Sequence, residues 1–274
     1  MPDLELRNML IHQSPLLTAA GFRHGFTTRI GGVSSLPCDS LNFSIAPQSS
    51  VPREQQLIDL QENIWRVQKK LGLSSEHFYC VRQVHGNHVF LAQGDPIQSQ
   101  TIEADAIVAQ SMPYQEQPTV AVFTADCVPL LCASPTTGMV ACIHAGWQGI
   151  VKGIIPATLD FMDHLGAFPL LIAAGPCIGG CCFEVERATA EAIVDSCSNP
   201  HVIERSHHEK RYVNLRKAAR SQLETRSIPP LCIENVGGCT YCNKELYFSY
   251  RRDGERAGRL LSLIEARAAN TPSS

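Results

Sequence analysis

Residues 119–134 read TVAVFTADCVPLLCAS. The stretch is a short apolar run bounded by turn residues, the pattern of a β-strand rather than of an amphipathic helix. Segments on either side carry the same signal: FYCVRQVHGNHVFLA (78–92), ADAIVA (104–109), MVACIHAGW (139–147) and LLIAAGPCIGG (170–180). Helices are predicted between and around them. Leu57, Leu60, Ile64, Val67 and Leu71 are spaced on one helical face over residues 53–71, and Gly72 stands where a helix ends. Further helices are expected at about 150–164, over ATAEAIVDSC (188–197), from about Leu215 to Thr225, and over the C-terminal ERAGRLLSLIEARA (255–268). Residues 21–45 read as a short strand, a Gly-rich turn and a second extended segment, and PPLCIENVGGCTYC (229–242) as strand and loop. The elements mix without strict alternation, and no linker or internal repeat divides the chain. This predicts one α+β domain spanning residues 1–274, with a disordered tail from about residue 270.

Composition excludes several classes. A net charge of −3 with no long basic run argues against nucleic acid as a partner. The first ten residues, MPDLELRNML, are unlike a secretory signal, and no run of about 18 apolar residues predicts a membrane span. A cytoplasmic location is therefore expected. The twelve cysteines then read as mostly reduced and buried, because several lie inside apolar strand-like runs.

Three residues carry candidate chemistry: His85 in QVHG, Cys127 in TADCVPLL and His144 in IHAGW. Each falls at the predicted end of a strand, beside glycine or a turn. Two imidazoles and a thiolate suit Zn²⁺, and three protein ligands leave a fourth position open, as in a catalytic site. Their separations of 42 and 17 residues exclude a zinc finger, so the ligands must converge from separate strands. The same residues also suit plainer roles, as hydrogen-bonded core histidines and an inert core thiol. They suit a metal-free Cys–His hydrolase as well, with Cys127 as nucleophile. Asp126, next to Cys127, and Asp105 are candidates to support the ligands from behind, Asp126 by orienting a ligating histidine, and Asp105 is alternatively a general base or a strand-end residue. Cys181-Cys182 and Cys239-x-x-Cys242 suggest either a second metal or redox pair, or a loop packed closely beside the pocket. Arg251, Arg252 and Asp253 form an ion-pair hub or an anion contact. His24 is read as a turn residue or as one approaching the site, and His88 as pointing away from His85.

The ordered motifs HGFTTRIGGVSS with SLNFS, QVHG, ADAIV, ADCVPLL, HAGW, GPCIGGCCFEV and CTYCNKELYFSYRRDG with GR resemble the YfiH-like, or laccase-domain, family over about residues 21–260. The family was formerly described as multicopper polyphenol oxidases. The resemblance implies a layered α/β/β/α sandwich with mixed sheets, and one Zn²⁺ held by His85, Cys127 and His144. It implies phosphorolysis of adenosine, inosine or methylthioadenosine and deamination of adenosine, with purine nucleoside and phosphate or water as the reactants. Some members are described as peptidoglycan-editing factors. Asn42, in SLNFS, matches a substrate-contacting asparagine of the family, and its alternative is a residue capping its own turn. Arg29 is a further candidate to hold substrate.

Two departures bear on phosphorolysis. Gln148 and Ile64 stand where the family usually carries arginine, so two cations that would help to hold an anion are absent, and Arg66 lies on another side of the helix. Copper is the alternative ion. The sequence contains no His-x-His, the ligand pattern of multicopper oxidases. A nucleoside-binding protein without turnover is the non-enzymatic alternative.

Overall fold

The computed structural model describes residues 6–45, 50–73, 77–112 and 117–269. Two large sheets lie face to face. The first has the order β1 (Ile11–His12), β2 (His24–Thr27), β14 (Leu260–Glu265), β6 (Thr119–Thr124), β3 (Phe78–Tyr79). The second has the order β13 (Ile233–Asn235), β9 (Leu171–Ala174), β7 (Val128–Ala133), β8 (Val140–Ala145), β5 (Ala106–Ala109), β4 (Val89–Leu91). Both mix parallel and antiparallel pairs: β13 runs parallel to β9 and β3 to β6, whereas β7 and β8 are antiparallel. A small third sheet joins β10 (Glu184–Glu186), β12 (Lys210–Val213) and β11 (Ile203–His207).

Burial on both faces explains the apolar strands. In the second sheet Ile107, Leu131 and Cys142 point between the sheets, against Phe26, Val120 and Val122. Their neighbours Val108, Leu130 and Ile143 point the other way, into a core shared with Ile154, Leu159, Ile193 and Leu223. Those residues belong to the helices Ile154–His164, Arg187–Cys197 and Leu215–Thr225. On the far side, Ala121, Leu261 and Leu263 of the first sheet pack with Val67, Leu60 and Ile64 of the helix Arg53–Leu71. The result is the expected α/β/β/α layering. A strand with no polar face loses the period-2 alternation that normally marks it.

The same effect overturns one expectation. The segment predicted as a final helix contains β14, which lies between β2 and β6. All six of its residues are buried. Apolar residues at 260, 261, 263 and 264 fit a helical stripe as well as a two-sided strand, so periodicity alone could not separate them. The helix expected from about 150 begins earlier, at Trp147, and is broken at Gly153, whose φ of 83° no ordinary helical residue adopts. The helix at 53–71 ends as expected on a left-handed Gly72. The second extended segment within 21–45 pairs with no sheet. It is held instead by buried Asn63, which accepts from the Val33 amide and donates to Ser34 and to the Asn42 carbonyl. The expected tail from about residue 270 lies outside the described residues. Among the described residues, no helix is long and apolar enough to cross a membrane.

Candidate active site

The two large sheets bring His85, Cys127 and His144 to one place. One donor atom from each lies within 4.8 Å of the others. Cys127 Sγ is 3.8 Å from His85 Nε2, and the two imidazole rings meet edge to face with centroids 4.8 Å apart. Tetrahedral zinc with ordinary Zn–N and Zn–S bonds needs about 3.6 Å between such a nitrogen and sulfur. The donor set and its spacing therefore fit a divalent ion.

Each of the three side chains is placed by a different device. His144 lies in β8, and its strand position fixes its direction. Its Nδ1–H donates to Asp105 Oδ1 at 2.8 Å, leaving Nε2 free as a ligand atom. Cys127 follows Asp126 on the turn between β6 and β7. Asp126 has a φ of 97°, a strained conformation for a residue with a side chain. Its carboxylate fixes that turn, accepting from Thr240 Oγ1 at 2.6 Å, Ser249 Oγ at 3.0 Å and the Arg251 amide at 2.7 Å. His85 also has a positive φ, 55°, rather than ending a strand. Asp105 holds its loop, accepting the amides of Val84 (3.2 Å), His85 (3.0 Å) and Gly86 (2.6 Å).

The two candidate supporting carboxylates act by different contacts. Asp126 touches neither histidine, while Asp105 orients one and anchors the loop of the other. Asp105 stands directly before β5, fully buried with both oxygens occupied, which suits positioning rather than proton transfer. ADAIV marks Asp105 in the chain, but only the pairing of β5 with β8 puts it beside His144.

The glycine of HAGW has a direct cause. A Cβ on Gly146 would lie 2.8 Å from His85 Cδ2 and 2.9 Å from Cys127 Sγ. Any side chain there would push the ligands apart. Gly146→Ala is expected to weaken binding of a divalent metal ion by about 10–100-fold, the scale of lost ligand orientation, as measured by competition with a chromogenic chelator.

The electrostatics favour an ionised thiol. Burial alone would raise Cys127, but the neighbouring His144 and His85 outweigh it and bring the thiol from 9.0 down to about 6. Burial would likewise lower His144, but Cys127 and Asp105 carry it from 6.5 up to about 9. The thiolate is the form that alkylates, and it is populated above the thiol's pKa. In chelator-treated protein, peptide-resolved alkylation of Cys127 is expected to rise with pH through about 6, not near the ordinary 9.0.

The three side chains open onto a cavity of about 720 Å³. Phe123, Trp147, Phe183 and Tyr250 supply apolar walls, and Arg251 and Arg259 line it as cations. Arg251 stacks near Phe183 and donates to the Glu184 carbonyl at 2.7 Å. The sequence offers Arg251 as part of an ion-pair hub or as an anion contact, and marks no role for Arg259, Phe183 or Tyr250. Their signal was present in FSYRRDG, GR and CCFEV, but motif position does not say which way a loop residue faces.

The structure does not bring Asn42 or Arg29 to this cavity. Asn42 closes its own turn with Ser44 and accepts the Arg259 amide at 2.9 Å, so it reaches the cavity only through that backbone. Arg29 binds Asp39 and lines a separate cavity of about 630 Å³ with Arg252 and Arg256. His24 is neither in a turn nor at the site: it is a buried strand residue whose Nε2 accepts the Ser14 amide. His88 meets the Glu103 carbonyl.

Residues 23–267 match the family model described as multi-copper polyphenol oxidoreductase laccase. The chain belongs to this laccase-domain, YfiH-like family. It is 35% identical over 254 residues to a purine nucleoside phosphorylase of Deinococcus radiodurans, covering 91% of this chain and 92% of that one. It is 31% identical over 268 residues to the mouse purine nucleoside phosphorylase LACC1, covering 95% of this chain but only 59% of that longer protein. Among solved structures, YlmD from Geobacillus stearothermophilus superposes with a TM-score of 0.82 at 27% identity, covering 95% of this chain and 97% of that one. The His2Cys group thus sits within a laccase-domain fold, and this group is able to bind a metal ion.

Proposed function

We propose that this protein is a zinc-dependent purine nucleoside enzyme. It phosphorolyses adenosine, inosine or methylthioadenosine, and it hydrolytically deaminates adenosine. The observation that carries this reading is the His85–Cys127–His144 donor set opening onto a cavity of about 720 Å³ walled by aromatic rings and two arginines. The volume suits a nucleoside, since small-molecule sites span about 300–1,000 Å³. The similarity to proteins named purine nucleoside phosphorylase supports the substrate class.

When bound, the ion would supply a Lewis acid able to make water nucleophilic near neutral pH. The chain's own groups do the rest. His85, Cys127 and His144 would hold the ion, and Asp105 keeps the His144 proton on Nδ1 so that Nε2 faces it. Phe123, Phe183 and Tyr250 offer faces for a purine ring. Arg251 and Arg259 offer cations for phosphate. In phosphorolysis a phosphate oxygen bonds to C1′ as the glycosidic C–N bond breaks, giving ribose 1-phosphate and the free base. In deamination water replaces the amino group, which leaves as ammonia.

The two missing family arginines weigh less than the sequence implied. Gln148 is exposed and Ile64 packs against the core under the first sheet, and neither lines the cavity. The multi-copper description fits the donors less well, because the potential metal groups among the described residues contain two histidines in all.

A second reading draws on Cys127 beside His85 and His144, with His144 bonded to Asp105, which is also the set of groups a thiol hydrolase uses on an amide such as a peptidoglycan crosslink. One experiment separates the readings. Protein is incubated with adenosine, with and without phosphate and with and without chelator, and products are identified. Adenine made only with phosphate indicates phosphorolysis and inosine indicates deamination, both lost on chelation. Unreacted adenosine in every arm, with the purified protein fully zinc-loaded, would sink the proposal.

A further inference from the structure

A second group of soft donors lies away from His85, Cys127 and His144. The thiols of Cys181, Cys182, Cys239 and Cys242 all fall within 4.8 Å of one another. Cys242 Sγ is 3.6 Å from Cys181 Sγ and 3.3 Å from Cys182 Sγ. All four are free thiols. A tetrahedral ZnS₄ centre with 2.3 Å bonds places its sulfurs about 3.8 Å apart, whereas a disulfide needs about 2.05 Å. The observed spacing is that of ligands around an ion.

Two loops distant in sequence supply the pairs. One follows β9 and carries GPCIGGCC; the other follows β13 and carries CTYC. They are brought side by side by the parallel pairing of β13 on β9, extended by a bridge between Cys177 and Cys239. Gly179 fits this junction closely. Its amide donates to Cys239 Sγ at 3.2 Å, and a Cβ on it would lie 3.1 Å from Cys181 Sγ. A backbone N–H aimed at a cysteine sulfur is the outer-shell contact that metal-bound thiolates accept.

We propose that Cys181, Cys182, Cys239 and Cys242 bind a second Zn²⁺ ion, with a structural role. Four protein ligands close the coordination sphere, unlike the three-ligand site with its open position. Binding exchanges thiol protons, released to solvent, for metal–sulfur bonds, and no oxidant is needed. The ion clips together both sides of the cavity. The first loop carries Ile178 and Phe183, which line it. The second carries Thr240, which holds Asp126 beside Cys127. The sequence suggested a metal, a redox pair or close packing for these cysteines, and their mutual spacing now favours the metal.

The test is metal counting on the full chain, purified under reducing conditions with Zn²⁺ and then desalted. Wild type is expected to retain two zinc ions per chain. His85→Ala should retain one, and a Cys181→Ser, Cys242→Ser double variant should also retain one. Should the double variant fold poorly, His85→Ala alone still decides, since all four thiols are intact. Loaded with Co²⁺ instead, it should show intense thiolate charge-transfer and tetrahedral ligand-field bands. Its unfolding midpoint should fall with chelator and recover with Zn²⁺. A metal-free His85→Ala protein, or a Cys182–Cys242 disulfide in its peptide map, overturns the proposal.

Discussion

Cys127→Ala and His85→Ala are each expected to lower kcat/KM for adenosine by on the order of 10³-fold or more, while the protein remains folded. The size follows from the reading of the site. Lewis-acid stabilisation of developing charge contributes several kcal/mol, and about 4 kcal/mol is a factor of roughly 10³ in rate. Folding is spared because His85 is exposed and Cys127 only half-buried at the cavity. Neither side chain fills the core that holds the sheets together. The same loss should follow from chelating wild type, and added Zn²⁺ should restore wild type but not the variants. Activity that survives chelation yet disappears in Cys127→Ala would transfer the function to the thiol as nucleophile. Steady-state kinetics with parallel zinc analysis decides between them.

Asp105→Asn is expected to damage both binding and stability. Each carboxylate oxygen serves two donors: Oδ1 takes the His85 amide and His144 Nδ1–H, and Oδ2 takes the Val84 and Gly86 amides. Burial opposes the charge, but these donors outweigh it and hold the carboxyl below its ordinary 3.8. An asparagine has a single acceptor oxygen. Whichever way its amide turns, the NH₂ faces two donors that it cannot satisfy. Buried unsatisfied donors cost about 1–3 kcal/mol each, so a loss of about 2 kcal/mol or more is expected. For a chain of this size that lowers the unfolding midpoint by on the order of 5 °C. His144 also loses the partner that fixes its tautomer, and the His85 loop loses its anchor. Zn²⁺ affinity should fall by about 10–100-fold. Calorimetry and a zinc competition titration would check the two effects separately. An unchanged affinity would mean that the ligands are held by other contacts.

His85, Cys127 and His144 were legible in the chain because chemistry-bearing residues beside glycines and turns stand out against apolar strands. Most elements were legible too, since helix periodicity at 53–71 and 215–225 and the β-rich runs at 106–145 are local patterns. The C-terminal strand was not. Between two packed layers both faces of a strand turn apolar, and its pattern then matches a helix equally well. Of the two candidate carboxylates, the chain did not show which orients His144. Asp126 is adjacent in sequence to a ligand, but it is Asp105 that the β5–β8 register sets against the imidazole. Cavity walls such as Arg259 and Phe183, and the meeting of Cys181-Cys182 with Cys239 and Cys242, arise from loops that approach only through strand pairing. Residue types, their local periodicity and the family's motifs are written in the chain. Which side chains share a cavity, a proton or an ion depends on non-local register, a property of how the strands pair rather than of any one segment.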